Sequence, residues 1–204
     1  MPDGPNAGVE LGERLRATQV DVPGLSQFLD SLSHAERVEA IRTLGRGDQR
    51  RLWDAVEGFA PLTLSDLVPS GVPGGATVRH FGKNTLPAFT HFEKHFTRPE
   101  TEDASQPREL HGFNFQKLSP ITGPGYFVAR ASEDGSEVLV DYHYVPQVRP
   151  EGWPPIRPND RGLSRFIYGF MIDTVRRVSE HVTIGSAARA GKDMGSWFVL
   201  SREA

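Results

Sequence analysis

The feature that most constrains this chain is a series of short runs rich in β-branched and aromatic residues, each closed by a turn cluster. They are Tyr126-Phe127-Val128-Ala129, Val138 to Val145, Phe166 to Val178, Val182 to Ala188 and Trp197 to Leu200. Runs of this length and composition between turn residues read as strands. Ala131 to Ser136 reads as a hairpin turn between the first two, and Ser179-Glu180-His181 and Gly191 to Gly195 make the last three a meander. Short connections require antiparallel neighbours, because a parallel pair needs a crossover of about a dozen residues or more. Five or six twisted strands joined in this way curl into a barrel or a half-open cone.

The first third of the chain is patterned differently. Leu25 to Leu32 reads as a short helix. Ser33-His34-Ala35-Glu36 has the S-x-x-E spacing of a capping box, followed by Ala35, Val38, Ile41 and Leu44 at helical spacing and a stop at Gly45. Asp48 is the expected cap of a further helix carrying Leu52, Trp53, Ala55 and Val56, ended by Gly58. Two or three such helices bury little surface alone, so they are expected to pack on the strands. The expected fold class is α+β: short N-terminal helices on a strongly curled antiparallel sheet or barrel. The expected divisions are a flexible terminus over 1–23, a helical cap over 24–60, a Pro/Gly-rich connection ending at Gly75, and a β domain over 76–204. Two segments interrupt the β pattern. Asn84 to Arg98, with Phe89, Phe92 and Phe96, reads as a short amphipathic helix; 146–165, with five prolines and Trp153, reads as a stiff ordered flap.

Composition excludes several classes. With no cysteine, there is no disulfide framework, Cys-ligated metal or thiol chemistry. A net charge of −3 with the signs interspersed argues against a nucleic-acid partner, which needs a concentrated basic surface. No apolar run reaches membrane-spanning length and the N-terminus lacks a signal-peptide pattern, so the expected location is the cytoplasm.

Three stretches resemble a known family. Phe92-Glu93-Lys94-His95-Phe96-Thr97-Arg98-Pro99-Glu100 resembles the W-x-G-K-x-F-x-x-P-E segment of the GXWXG-type proteins, with Phe92 in place of the Trp and Glu93 in the region of the Gly. Ile172-Asp173-Thr174-Val175-Arg176-Arg177-Val178 with Thr183-Ile184-Gly185 is similar to that family's I-D-x-F-R-R-V strand and following L-G. Trp197 to Arg202 is similar to its terminal aromatic strand. The resemblance spans roughly the last 125 residues and implies a lipocalin-like, calycin-like barrel. The family has no established reaction, so no catalytic residue is carried over.

Candidate chemistry comes from the residues themselves. His91 and His95, four apart, would share a helix face and could supply two imidazoles to a metal, with His80 the nearest third ligand. Asp141 and His143 share a strand face, opposite Tyr142 and Tyr144. If they face inward they form an oriented general base; if the tyrosines do, the cavity suits an apolar ligand with one or two hydrogen-bonding groups. Of Arg176 and Arg177, the more apolar company of Arg176 points to it as the inward one, needing a carboxylate or an anionic ligand. Gly123-Pro124-Gly125 lacks the Lys and spacing of a phosphate loop, and there is no G-x-S-x-G elbow. No cofactor is implied.

Three functions remain open. The first is a barrel binding a small hydrophobic or amphipathic molecule through Tyr126, Tyr142, Tyr144, Trp153 and Arg176, with the proline-rich flap at its mouth. The second is a cofactor-independent isomerase, lyase or cyclase working through His143 and Asp141. The third is a scaffold whose N-terminal helices dock on a protein partner, which requires an exposed apolar patch around Leu52 and Trp53.

Overall fold

The structure is a computed structural model and describes residues 6–87, 90–116, 123–159 and 170–203. Eight antiparallel strands close into a barrel in which each pairs with its neighbour in sequence and β1 pairs with β8. They are β1 (Val78–Asn84), β2 (His91–Thr97), β3 (Leu110–Phe115), β4 (Tyr126–Ala131), β5 (Val138–Asp141), β6 (Met171–Arg177), β7 (Val182–Arg189) and β8 (Lys192–Arg202). The expected hairpin turn between β4 and β5 is present. Asp134 accepts from the hydroxyls of Ser132 and Ser136, and Gly135 takes the left-handed φ of +72° that the turn needs.

Helices α1 (Ala7–Arg16), α2 (Val22–Ser31), α3 (His34–Thr43) and α4 (Arg46–Ala55) precede the barrel. The Ser33–Glu36 capping box starts α3 as its spacing predicts. Asp48 is not the cap of α4: it sits one turn in and accepts from the amide of Gly45, which holds the cap position. Nor are residues 7–16 loose, as the mixed-charge terminus suggested. They form α1, whose Leu11 and Leu15 are fully buried. Buried Arg37 ties α2 to α3 by donating to the carbonyls of Leu29 and Leu32.

The helices lie against the outside of β1, β7 and β8. Their apolar faces merge with the outward residues Val178, Val182, Ile184 and Val199 into one core. A second core fills the barrel and contains Phe96, Phe127, Val140, Val175 and Leu200. The short helix α5 (Leu64–Leu67) contributes Leu64 and Leu67 to that inner core and so plugs one end of the barrel. Arg177 pairs with Asp66 of α5, and His80 on β1 is hydrogen-bonded to the carbonyl of Leu67 at 3.0 Å, which holds the plug in place.

The helix expected over Asn84 to Arg98 is a hairpin instead, formed by the end of β1 and by β2. Phe92 and Phe96 point inward with Lys94 between them, while His91, Glu93 and His95 point outward; Phe89 lies outside the described residues. The spacing of four between Phe92 and Phe96 satisfies a strand's period of two as well as a helical turn, so that pair alone does not separate the two.

Candidate functional site

Opposite the α5 plug, the barrel opens into a pocket of about 330 Å³. Its walls are the side chains of Phe92, Tyr142, Met171 and Phe198; Leu86, Met194 and Trp197 stand at its rim. The walls follow from strand alternation: each is at an inward position of its strand or just beyond the strand end.

Beneath this apolar wall lies a polar cluster contributed by four parts of the barrel. Lys94 of β2, Asn114 of β3, Tyr142 just after β5 and Asp173 of β6 meet inside the barrel. The Lys94 ammonium nitrogen donates to Asn114 Oδ1 at 3.0 Å, to the Tyr142 hydroxyl at 2.5 Å and to Asp173 Oδ2 at 3.2 Å. Asn114 Nδ2 donates to the same hydroxyl at 2.9 Å, and that hydroxyl in turn reaches Asp173 Oδ2 at 3.2 Å. The side chains of Lys94 and Asp173 are 2% and 3% exposed, so the pair is desolvated rather than a surface ion pair. Four aromatic rings, of Phe92, Phe127, Tyr142 and Phe198, face the Lys94 nitrogen with centroids 4.8 to 5.9 Å away.

Burial acts on both charges in the same sense. It lowers the pKa of Lys94 and raises that of Asp173, in each case against the attraction of the partner. Asp173 Oδ1 is buried and has no hydrogen-bond partner among the described residues.

The residues singled out by sequence are dispersed. Tyr142 is in the cluster. Tyr126 points outward and packs with Phe113 and Trp153; its hydroxyl donates to the carbonyl of Pro154 at 2.6 Å, and burial pushes its pKa up to about 12. Trp153 donates from Nε1 to Thr77 Oγ1 at 2.7 Å. The described part of the expected flap, 146–159, thus lies over the outer face at Phe113 and Tyr126 rather than across the pocket; 160–165 lie outside the described residues. Tyr144 is exposed beneath Arg130 and lines a separate groove on the outer surface.

Arg176 also points outward. It stacks on Trp53 at 3.8 Å and pairs with Glu137 at 2.6 Å, while Asp173 is the inward residue of β6. Asp141 and His143 do meet, with His143 Nδ1 2.7 Å from Asp141 Oδ1, but at the partly exposed end of β5 and outside the pocket. The inward geometry required of a general base is therefore not there. His91 and His95 face outward and His80 inward, His95 contacts Glu93 at 2.7 Å, and among the described residues no group of three His, Asp or Glu could hold a metal. Leu52 is buried and Trp53 is covered by Arg176, so the helices spend their apolar face on the barrel.

Lys94 and Asp173 both stand in stretches that carry the family resemblance, yet no motif spacing marks either as a site residue. The available signal was a lysine between two inward phenylalanines once β2 is read with period two.

No protein-family model matches the sequence, and no curated protein is significantly similar to it. A solved structure described as that of a surface lipoprotein aligns with 64% of this chain at 8% identity and a TM-score of 0.29. The aligned part spans 62% of that protein's length. Among the described residues no helix is long and apolar enough to cross a membrane. The closed antiparallel eight-stranded barrel fits the calycin-like fold that the resemblance implies, and no family match accompanies it.

Proposed function

We propose that this barrel binds a small amphipathic molecule, its apolar body among Phe92, Met171 and Phe198 and its polar head at the Lys94–Asp173 cluster. One observation carries the reading: a mostly apolar pocket inside the barrel that ends on a desolvated, hydrogen-bonded polar cluster. Apolar walls with a few convergent polar groups are the usual composition of small-molecule sites, and about 330 Å³ is at the small end of their range.

Thermal unfolding with benzyl alcohol tests this. At about 100 times its Kd the ligand should stabilise by about 2.7 kcal/mol, raising Tm by roughly 5 to 10 °C for a chain of this size. Ala187, opposite Asp173 in the register, lines the pocket. Ala187→Leu should therefore abolish the shift while leaving the ligand-free Tm within a few degrees. A wild-type protein indifferent to benzyl alcohol and to n-hexanol would overturn the reading.

A further inference from the structure

We propose that Lys94 captures small apolar aldehydes or ketones in this pocket as a covalent imine. The inference rests on the pocket reading above and goes beyond it, because it assigns a bond-forming role to one atom.

An ordinary lysine is a poor nucleophile at neutral pH, since its nitrogen holds a proton. Lys94 is placed differently. Of the four lysines in the chain, Lys83 donates to the carbonyl of Arg42, Lys192 is exposed and Lys117 lies outside the described residues, whereas Lys94 lines the pocket. Burial lowers its pKa and raises that of Asp173, so both shifts work toward passing the Lys94 proton to Asp173 and freeing the amine electron pair. The unpartnered Asp173 Oδ1 argues in the same direction: a buried charged carboxylate oxygen left without a donor costs far more than a neutral one.

An amine and an acid are the two reagents that imine formation needs. The Nζ electron pair bonds to the carbonyl carbon, and the C=O π pair moves to oxygen, which takes the proton of the Asp173 carboxyl. The nitrogen then gives one proton to the carboxylate, leaving a neutral carbinolamine. As the carboxyl returns that proton, the C–O bond breaks, water departs with the carbonyl oxygen, and the nitrogen pair closes the C=N bond. Amine and carbonyl give iminium and water, with the proton supplied by Asp173; nothing is oxidised or reduced and no further reactant enters. The Tyr142 hydroxyl, 2.5 Å from Nζ and 3.2 Å from Asp173 Oδ2, can relay these protons. The cationic product remains beside the Asp173 carboxylate and among four ring faces, a setting that stabilises it.

Incubation of the whole chain with benzaldehyde and cyanoborohydride, followed by peptide mapping, reads the imine as a benzylated lysine. Lys94 is expected to be labelled several-fold faster than exposed Lys192, because burial lowers its pKa and it lines the pocket that collects the aldehyde. Benzyl alcohol, which has the same ring but no carbonyl, should suppress labelling at Lys94 and not at Lys192. Tyr142→Phe keeps the ring and should slow labelling at Lys94 several-fold while leaving Lys192 unchanged; equal rates would remove the hydroxyl from the path. Labelling at Lys192 without Lys94, in a protein whose Tm still rises with benzyl alcohol, overturns the imine and leaves the binding pocket. No labelling of Lys94 and no Tm shift overturn both.

Discussion

His80 sits on β1 behind the plug, fully buried, with its ring hydrogen-bonded to Leu67. Burial drives its pKa down to about 3, against the help of the Leu67 carbonyl and with further lowering by Arg202, His95 and Lys94. An unfolded imidazole takes up its proton near pH 6.5, so between pH 6.5 and about 3 the unfolded chain binds more protons than the folded one. Stability from this residue is therefore complete above pH 6.5 and falls as the pH drops through that window, by on the order of 5 kcal/mol in all. His80→Phe should be less stable than wild type at pH 7.5 by roughly 1 to 3 kcal/mol, because the Leu67 carbonyl loses its partner. In urea titrations the gap between the two proteins should narrow toward pH 4.5, and parallel pH profiles would disprove the assignment. Individual residues of this kind were hard to read in the sequence. Tyr142 stands out through its alternation with Asp141, and Lys94 and Asn114 are opposed on neighbouring strands, but only barrel closure brings Asp173 of β6 within 3.2 Å of Lys94. Before closure is known, nothing in a lone interior lysine reveals its carboxylate partner.

Among the elements, the strands near the C-terminus are legible from β-rich runs and turn clusters, whereas β1 and β3 are not and the spacing in β2 points to a helix. β1 and β3 each carry an interior glycine and a histidine, which weaken the strand signal. Gly112 of β3 shows why such a residue is needed. A Cβ there would stand 2.5 Å from the carbonyl oxygen of His95 and press into the Phe127 ring. Gly112→Ala should consequently cost about 1 to 3 kcal/mol in chemical unfolding, an overpacking cost. An unchanged midpoint would mean that β2 and β3 can separate there more easily than their pairing implies. The facing of β6 is hidden for a related reason. The outward positions of β6 carry Ile172 and Thr174 while its inward positions carry Asp173, so apolar company points to the wrong side, and Trp53 and Glu137 hold Arg176 outside.

At the scale of the whole molecule, the two cores lie back to back on shared strands. In β8, Phe198 and Leu200 face the barrel interior, and Val199 between them belongs to the core under the helices. Losing the helical layer would expose the outer faces of β7 and β8, and losing the barrel would leave α1 to α4 with nothing to cover. The helical layer and the barrel should therefore unfold in one transition. Trp53 and Trp197 report on their seam, whereas Trp153 lies with Phe113 and Tyr126 under the loop after β5. In urea, the fluorescence midpoint of a Trp53→Phe/Trp197→Phe double variant, reporting Trp153 alone, should coincide with its far-ultraviolet circular dichroism midpoint. Ile184→Ala removes buried volume only from the outer core and should lower both midpoints together, by the roughly 2 to 5 kcal/mol typical of such a truncation. If ellipticity is lost at lower urea than Trp153 fluorescence, the helical layer is a separate unit. The pocket then belongs to a barrel that stands without its helices, and the continuous apolar run of β8 needs another explanation than shared packing.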